Sequence, residues 1–205
     1  MSLELPIDIH TVKGFLAASE GEALHHLAVE ACGLGACLEV GSYCGKSTVY
    51  LASACKLVDG VLYAVDHHRG SEEHQPGEEY HDPELFDEDI QLMDSFRTFR
   101  TNIRAAQLED WVVPVVAPSS VVARRWNTPL GLVFIDGGHS REAAMTDYRC
   151  WARHIVPGGY LAIHDIFPDP ADGGQAPYEI YNLALASAQF ELVETVDTLG
   201  ILRRV

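Results

Sequence analysis

The chain has 205 residues, 47% of them apolar, with 30 acids against 14 bases and a net charge of −16. That length suits one domain spanning 1-205 with enough apolar content for a core, and the charge opposes a phosphate backbone, which excludes nucleic acid as a partner. No run of eighteen apolar residues exists and Met1-Ser2-Leu3-Glu4 does not open a signal peptide, so the expectation is a cytoplasmic protein with no membrane contact. Five cysteines (Cys32, Cys37, Cys44, Cys55 and Cys150) contain no CxxC pair. They read as reduced thiols, neither a disulfide framework nor a zinc site.

In chain order, an N-terminal helical segment (1-34) carries a helix from the capping-box pattern Ser19-Glu20-Gly21-Glu22 to Gly33. Ala36 to Val40 is a short buried strand, followed by a glycine turn and a helix from Gly45 to Lys56. Val61 to Val65 is the second strand, closed by Asp66. An acidic loop (67-83) then runs to a helix entered through Asp82-Pro83, where proline suits the first turn. Between Arg69 and Arg97 lie ten acids and no base, read mainly as a solvated loop and helix face. Trp111 to Val116 is a third strand whose Pro114 cannot donate to a ladder, which puts it at the sheet edge. Leu132 to Ile135 is the fourth, ending at Asp136, with a helix from Ser140 to His154 after it. Pro157-Gly158-Gly159 turns into the fifth strand, Tyr160 to Ile163, which ends at His164-Asp165. A helix from Tyr178 to Gln189 precedes two strands, Phe190 to Val196 and Thr198 to Arg203, close enough to form a hairpin.

Strands alternating with helices predict an α/β Rossmann-like sandwich with a mostly parallel sheet. Ligands of such sheets sit beyond the carboxyl ends of the strands. The polar residues there are Glu39, Asp66, Asp136, His164 and Asp165. The first loop, Glu39-Val40-Gly41-Ser42-Tyr43-Cys44-Gly45-Lys46-Ser47, admits three readings. A P-loop nucleotidase is one, but GxxxGKS is a residue short of GxxxxGK[ST], and a phosphate nest depends on its length. A dinucleotide fingerprint is another, but Tyr43 stands where its second glycine belongs. The third is an acid followed by GxxxG.

That third pattern resembles motif I of the class I S-adenosylmethionine-dependent methyltransferases, and the resemblance runs from about Ala31 to Val205. Phe134 to Ser140, Pro157 to Tyr160 and His164-Asp165 resemble the later motifs of the small O-methyltransferase branch. The resemblance implies a seven-stranded sheet in the order 3-2-1-4-5-7-6 with the last strand antiparallel. It implies S-adenosylmethionine held by Glu39, Gly41, Ser42, Gly45 and Ser47 from the first loop, and by Asp66 and His67 at the second strand. Ser119 beside the adenine and Asp136 complete that set. Gly41 would let the backbone approach the methionine portion, and Glu39 would accept from its amino group or serve as a cap. A cofactor-binding domain without turnover is the non-enzymatic alternative.

Asp136 and His164-Asp165 end neighbouring strands, and carboxylates with an optional imidazole suit Mg2+ or Mn2+. The related metal-dependent enzymes carry an Asp-Asn or Asp-Asp pair where this chain has His-Asp. His164 is therefore a third ligand, an orienter behind the ligands, a substrate contact, or a buried histidine satisfied by its neighbours. His139 occupies the loop position of the family's general base, and imidazole accepts protons near neutrality. The segments 66–73, 168–174 and 177–181 are similar to those of the methylmannose-polysaccharide 1-O-methyltransferases. That implies a saccharide hydroxyl as acceptor, with His68, Arg69 and Tyr178 facing it, and a homodimer is common in this branch.

Overall fold

A computed structural model of the chain describes residues 3–71, 74, 75, 77, 81–89 and 91–205. Seven strands form one sheet: β1 (Ala36–Val40), β2 (Leu62–Asp66), β5 (Val112–Val116), β6 (Leu130–Ile135), β7 (Ile155–Ile163), β8 (Phe190–Val196) and β9 (Leu199–Arg204). Two short strands, β3 (Phe86–Asp87) and β4 (Leu92–Met93), pair apart from it. The order is β5-β2-β1-β6-β7-β9-β8. Counting only the strands of the large sheet, this is the expected 3-2-1-4-5-7-6. The strands from β5 to β7 are parallel, and β9 runs antiparallel between β7 and β8. Pro114 lies on the edge strand β5, opposite Ala64.

Period-two alternation divides the core between the two faces. Cys37 of β1 and Phe134 of β6 point to one side, where α1 (Ala18–Ala31), α2 (Lys46–Leu57) and α3 (Phe96–Ala105) cover them. Leu38, Val133 and Ile163 point to the other, under α5 (Arg141–Trp151) and α6 (Ala176–Ala186). The same alternation puts Glu39 on the α2 side, buried without any exposure. No helix among the described residues is long and apolar enough to cross a membrane.

Four elements differ from expectation. Pro157-Gly158-Gly159 does not precede the fifth strand but lies within it, since β7 begins at Ile155. The helix read at Asp82-Pro83 is a single 3-10 turn, Pro83–Leu85: Asp82 caps its start, accepting the Glu84 N–H at 3.0 Å, but the backbone is already extended at Phe86. The chain then forms the β3–β4 hairpin, and α3 begins only at Phe96, where Phe99 and Ile103 supply a buried i, i+4 pair. Ser19 does not cap α1. Ala17 is the N-cap and Glu20, at N3, reaches back to the Ala17 N–H at 3.0 Å. A short helix α4 (Ser119–Val122), too brief for periodicity to show, follows β5.

The register fixes which strand ends meet. Val40 is level with Val65 on one side and Ile135 on the other, and Ile135 is level with Ile163. Gly41, Asp66, Asp136 and His164 therefore form one row. The fit is tight: a Cβ on Gly41 would lie 1.9 Å from the Asp136 carbonyl oxygen, and its φ of +89° already belongs to glycine. Gly158 has a similar φ, +82°, but open space around it. Gly158→Ala should then cost only the backbone term, about 1 kcal/mol, whereas Gly41→Ala should cost more, about 3 kcal/mol or above, because backbone must also move. Urea unfolding of both variants checks this, and equal losses would contradict it.

Candidate active site

The loop after β1 is held by two carboxylates. Glu39 accepts from Ser47 Oγ at 2.5 Å and Thr48 Oγ1 at 2.6 Å, and so ties the end of β1 to the first turn of α2. Asp66 ties the same loop to β2: Oδ2 accepts the Tyr43 N–H at 2.8 Å and Oδ1 the His68 N–H at 2.7 Å. Both loop residues adopt positive φ, 44° at Tyr43 and 58° at His68. Such conformations cost energy in non-glycine residues and persist where surrounding bonds over-determine them. Gly45, at φ +92°, turns the chain into α2. The Lys46 ammonium donates to the Gly14 carbonyl at 3.0 Å and draws the N-terminal segment over the loop.

Beyond β6 and β7 lies a row of charged groups. His164 is 4% exposed. Its Nδ1 is 3.0 Å from Asp136 Oδ1 and its Nε2 is 3.0 Å from Glu20 Oε2. Ionised carboxylates only accept, so a ring that bonds one at each nitrogen donates from both and is an imidazolium. Burial opposes that charge, but Asp136, Asp165 and Glu20 around it outweigh burial and push the imidazole up to about 12. Glu20 is itself fixed by the Thr198 N–H at 2.9 Å and Thr198 Oγ1 at 2.7 Å. Asp165 follows at φ 57°, with Oδ2 3.2 Å from His139 Nε2. Burial would raise Asp165, yet the hydrogen bonds of His139 and His164 hold it well below the usual carboxylate range. Asp136, His139 and Asp165 each bring one ligand atom to within 4.8 Å of the others.

A family profile described as a methyltransferase domain matches residues 38–166, which hold all of these groups except Gly14, Glu20 and Thr198. The chain belongs to this methyltransferase family. Solved structures share the fold. The O-methyltransferase NovP has 16% identity and a TM-score of 0.70, over 92% of this chain and 81% of its own. The O-methyltransferase TomG from Streptomyces achromogenes, in complex with SAM, has 16% identity and a TM-score of 0.64 over 93% and 82%. An O-methyltransferase from Bacillus cereus, in complex with SAH, has 18% identity and a TM-score of 0.63 over 93% and 82%.

Within this methyltransferase several side chains stand elsewhere than the sequence suggested. Both nitrogens of His164 donate to carboxylates, which leaves no lone pair for a metal ion. Its contacts match the buried histidine satisfied by its neighbours, and the one to Asp136 is also what an orienting residue would make. Glu39 and Ser47 are bonded to each other rather than open to a ligand, and Ser42 is buried beside them. Gly41 is required by the Asp136 backbone, whatever else approaches it. His68 is 2% exposed, packs against Phe96 and Phe99 and bonds Ser95 Oγ through Nδ1 at 2.9 Å, so it does not face an acceptor. Exposed His67 accepts the N–H of Arg69, also exposed, at 3.1 Å. Tyr178 stacks on Tyr181, while its neighbours Pro177 and Ile180 line a small cavity with Asp136, His139 and His164. Of the acidic loop, residues 72, 73, 76 and 78–80 lie outside the described residues.

Two groups were not legible. Glu20 appeared only as a capping residue, and nothing in its spacing points to His164. Asp147 sits on α5, 8% exposed, with Oδ2 only 2.6 Å from where a Gly137 Cβ would stand. Burial pushes it up to about 6, against a hydrogen bond from Ser119, whose Oγ also accepts from Trp151 Nε1 at 3.0 Å. Ser119 thus braces α4 against α5.

Burial likewise pushes Glu39 up to about 7, although Ser47 and Thr48 pull the other way. An acid raised on folding holds its proton more tightly in the native state, so its contribution to stability is present below its unfolded value near 4.5 and declines as pH rises towards 7. Glu39→Gln should flatten the fall in unfolding free energy over that window by up to about 1.4 kcal/mol per pH unit. Denaturant melts across pH 4.5 to 7 check this, and an unchanged slope would contradict it.

Proposed function

We propose that this methyltransferase transfers the methyl group of S-adenosylmethionine to a hydroxyl of a small molecule or saccharide, assisted by Mg2+ or Mn2+. The observation that carries this reading is the shared row of strand ends. The glycine loop and Asp66 stand on one side of the Gly41–Asp136 contact, and Asp136, His139 and Asp165 stand on the other. O-methyltransferases in complex with SAM and with SAH share the fold, and the saccharide acceptor rests on the loop resemblance. The P-loop alternative loses its two key side chains, because Lys46 is spent on the Gly14 carbonyl and Ser47 on Glu39.

In this reading each Asp66 oxygen, already bonded to one loop N–H, keeps a lone pair for the ribose hydroxyls. Backbone groups of Gly41 to Tyr43 and the Ser119–Asp147 pair border the remainder of the cofactor. The acceptor oxygen forms a bond to the methyl carbon as the carbon–sulfur bond breaks, sulfur keeps the electron pair, and S-adenosylhomocysteine is released. His139 takes the acceptor's proton, and the resulting imidazolium stays beside Asp165, which stabilises its charge. The carboxylates of Asp136 and Asp165, converging within 4.8 Å, fit a hard divalent cation and leave His139 beside them as the base. Asp136 and Asp165 would hold it, and bound there it would lower the pKa of the acceptor hydroxyl. Glu20 and His164 act through Asp136 and fix the direction of its carboxylate, as partners behind metal ligands do.

Labelled S-adenosylmethionine with a panel of saccharides and phenols provides the test. Label should pass to a hydroxyl, and His139→Ala should lower turnover by about a hundredfold or more with little change in calorimetric affinity for S-adenosylhomocysteine. Asp66→Ala should instead weaken that affinity. Near-normal turnover in His139→Ala, or tight ATP binding with no response to S-adenosylmethionine, would overturn the reading.

A further inference from the structure

A second group of ligand atoms gathers at the opposite end of the sheet. Cys32 directly follows α1, Cys37 lies at the start of β1 and Cys55 in the last turn of α2. Cys32 Sγ is 3.6 Å from Cys37 Sγ and 3.7 Å from Cys55 Sγ, and the three sulfurs lie within 4.8 Å of one another. Cys37 and Cys55 are buried, while Cys32 is partly exposed and provides an entry. Room for its sulfur comes from Gly60, where a Cβ would stand 2.5 Å away, and the Gly60 N–H bonds the Cys55 carbonyl at 2.8 Å. Sequence spacing gave no sign of this, because 5 and 18 residues separate cysteines that only the packing of α1, β1 and α2 unites.

We propose that Cys32, Cys37 and Cys55 form a three-sulfur binding site for copper(I). A metal–sulfur bond of about 2.3 Å sets ligand sulfurs roughly 3.8–4.0 Å apart in tetrahedral or trigonal geometry, within a few tenths of an ångström of the two separations from Cys32. Sulfur selects soft ions. Among the described residues no fourth imidazole, thiol or carboxylate joins the group, whereas structural zinc asks for four protein ligands. Two helix C-termini, those of α1 and α2, meet here, and their partial negative charge favours a cation. Each thiol that binds as thiolate releases its proton to solvent.

The test uses the whole metal-free protein under anaerobic conditions, titrated against the copper(I)–bicinchoninate complex. The protein should withdraw one equivalent, and X-ray absorption should show a first shell of sulfur alone at about 2.3 Å. Cys32→Ala, at the partly exposed position, should weaken binding by about a hundredfold, no less than the loss of an outer-shell partner costs. Cys150→Ala, outside the cluster, should bind like the wild type. Copper left on the chelator, a nitrogen or oxygen shell, or equal losses in the two variants would overturn the proposal. The absorption spectrum of the wild type decides the matter even if Cys32→Ala fails to fold.

Discussion

A positive charge kept from water organises the reacting end of this molecule. The His164 imidazolium is nearly inaccessible and is stable there only because Glu20 and Asp136 take its two protons as hydrogen bonds. Removing one partner from such a buried pair leaves an uncompensated charge and typically costs about 3–5 kcal/mol. The consequence is positional. Asp136 is held from one side by His164 and its backbone is pressed by Gly41 from the other, so the loop after β1 and the carboxylates beyond β6 and β7 are fixed to one another. Glu20 brings α1 and, through Thr198, the turn before β9 into the same assembly.

The parts of this arrangement legible in the sequence are those governed by local rules. Alternation and turn residues placed the strands of the large sheet, and parallel topology put Asp66, Asp136, His164 and Asp165 at strand ends. Pro114 marked the edge. Partners were another matter, because a period says which face a residue takes but not what lies opposite. Glu39 reads as an acceptor for the cofactor or a cap, and in the fold its donors are the hydroxyls of Ser47 and Thr48 on the helix that follows. His68, in a polar run, read as a loop residue and is instead turned inward by a left-handed backbone onto Phe96 and Phe99. Glu20 and His164 are 144 residues apart, and no local signal joins them. The missed β3–β4 hairpin has the same origin: Asp82 looks like a helix cap and is one, but Leu85 and Met93 pack against Cys44, distant in sequence, and the chain continues as a hairpin.

Electrostatics fits the proposed chemistry. A net charge of −16 suits a cofactor that is a cation at sulfur and brings no phosphate, since few bases are needed to hold it. The carboxylates beyond β6 and β7 would attract a divalent cation for the same reason. The sheet thus separates two groups of side chains, carboxylates and imidazoles beyond the carboxyl ends of its strands and three thiols at the other.

The central claim is that the cofactor loop and the Asp136–His139–Asp165 group serve one reaction centre. Nuclear relaxation of S-adenosylmethionine labelled with carbon-13 in its methyl group, bound to the protein with Mn2+ added, tests it most directly. The account predicts strong paramagnetic broadening of the methyl signal, lost in Asp165→Asn while cofactor affinity persists. A bound cofactor whose methyl signal stays sharp when Mn2+ is also bound would contradict it.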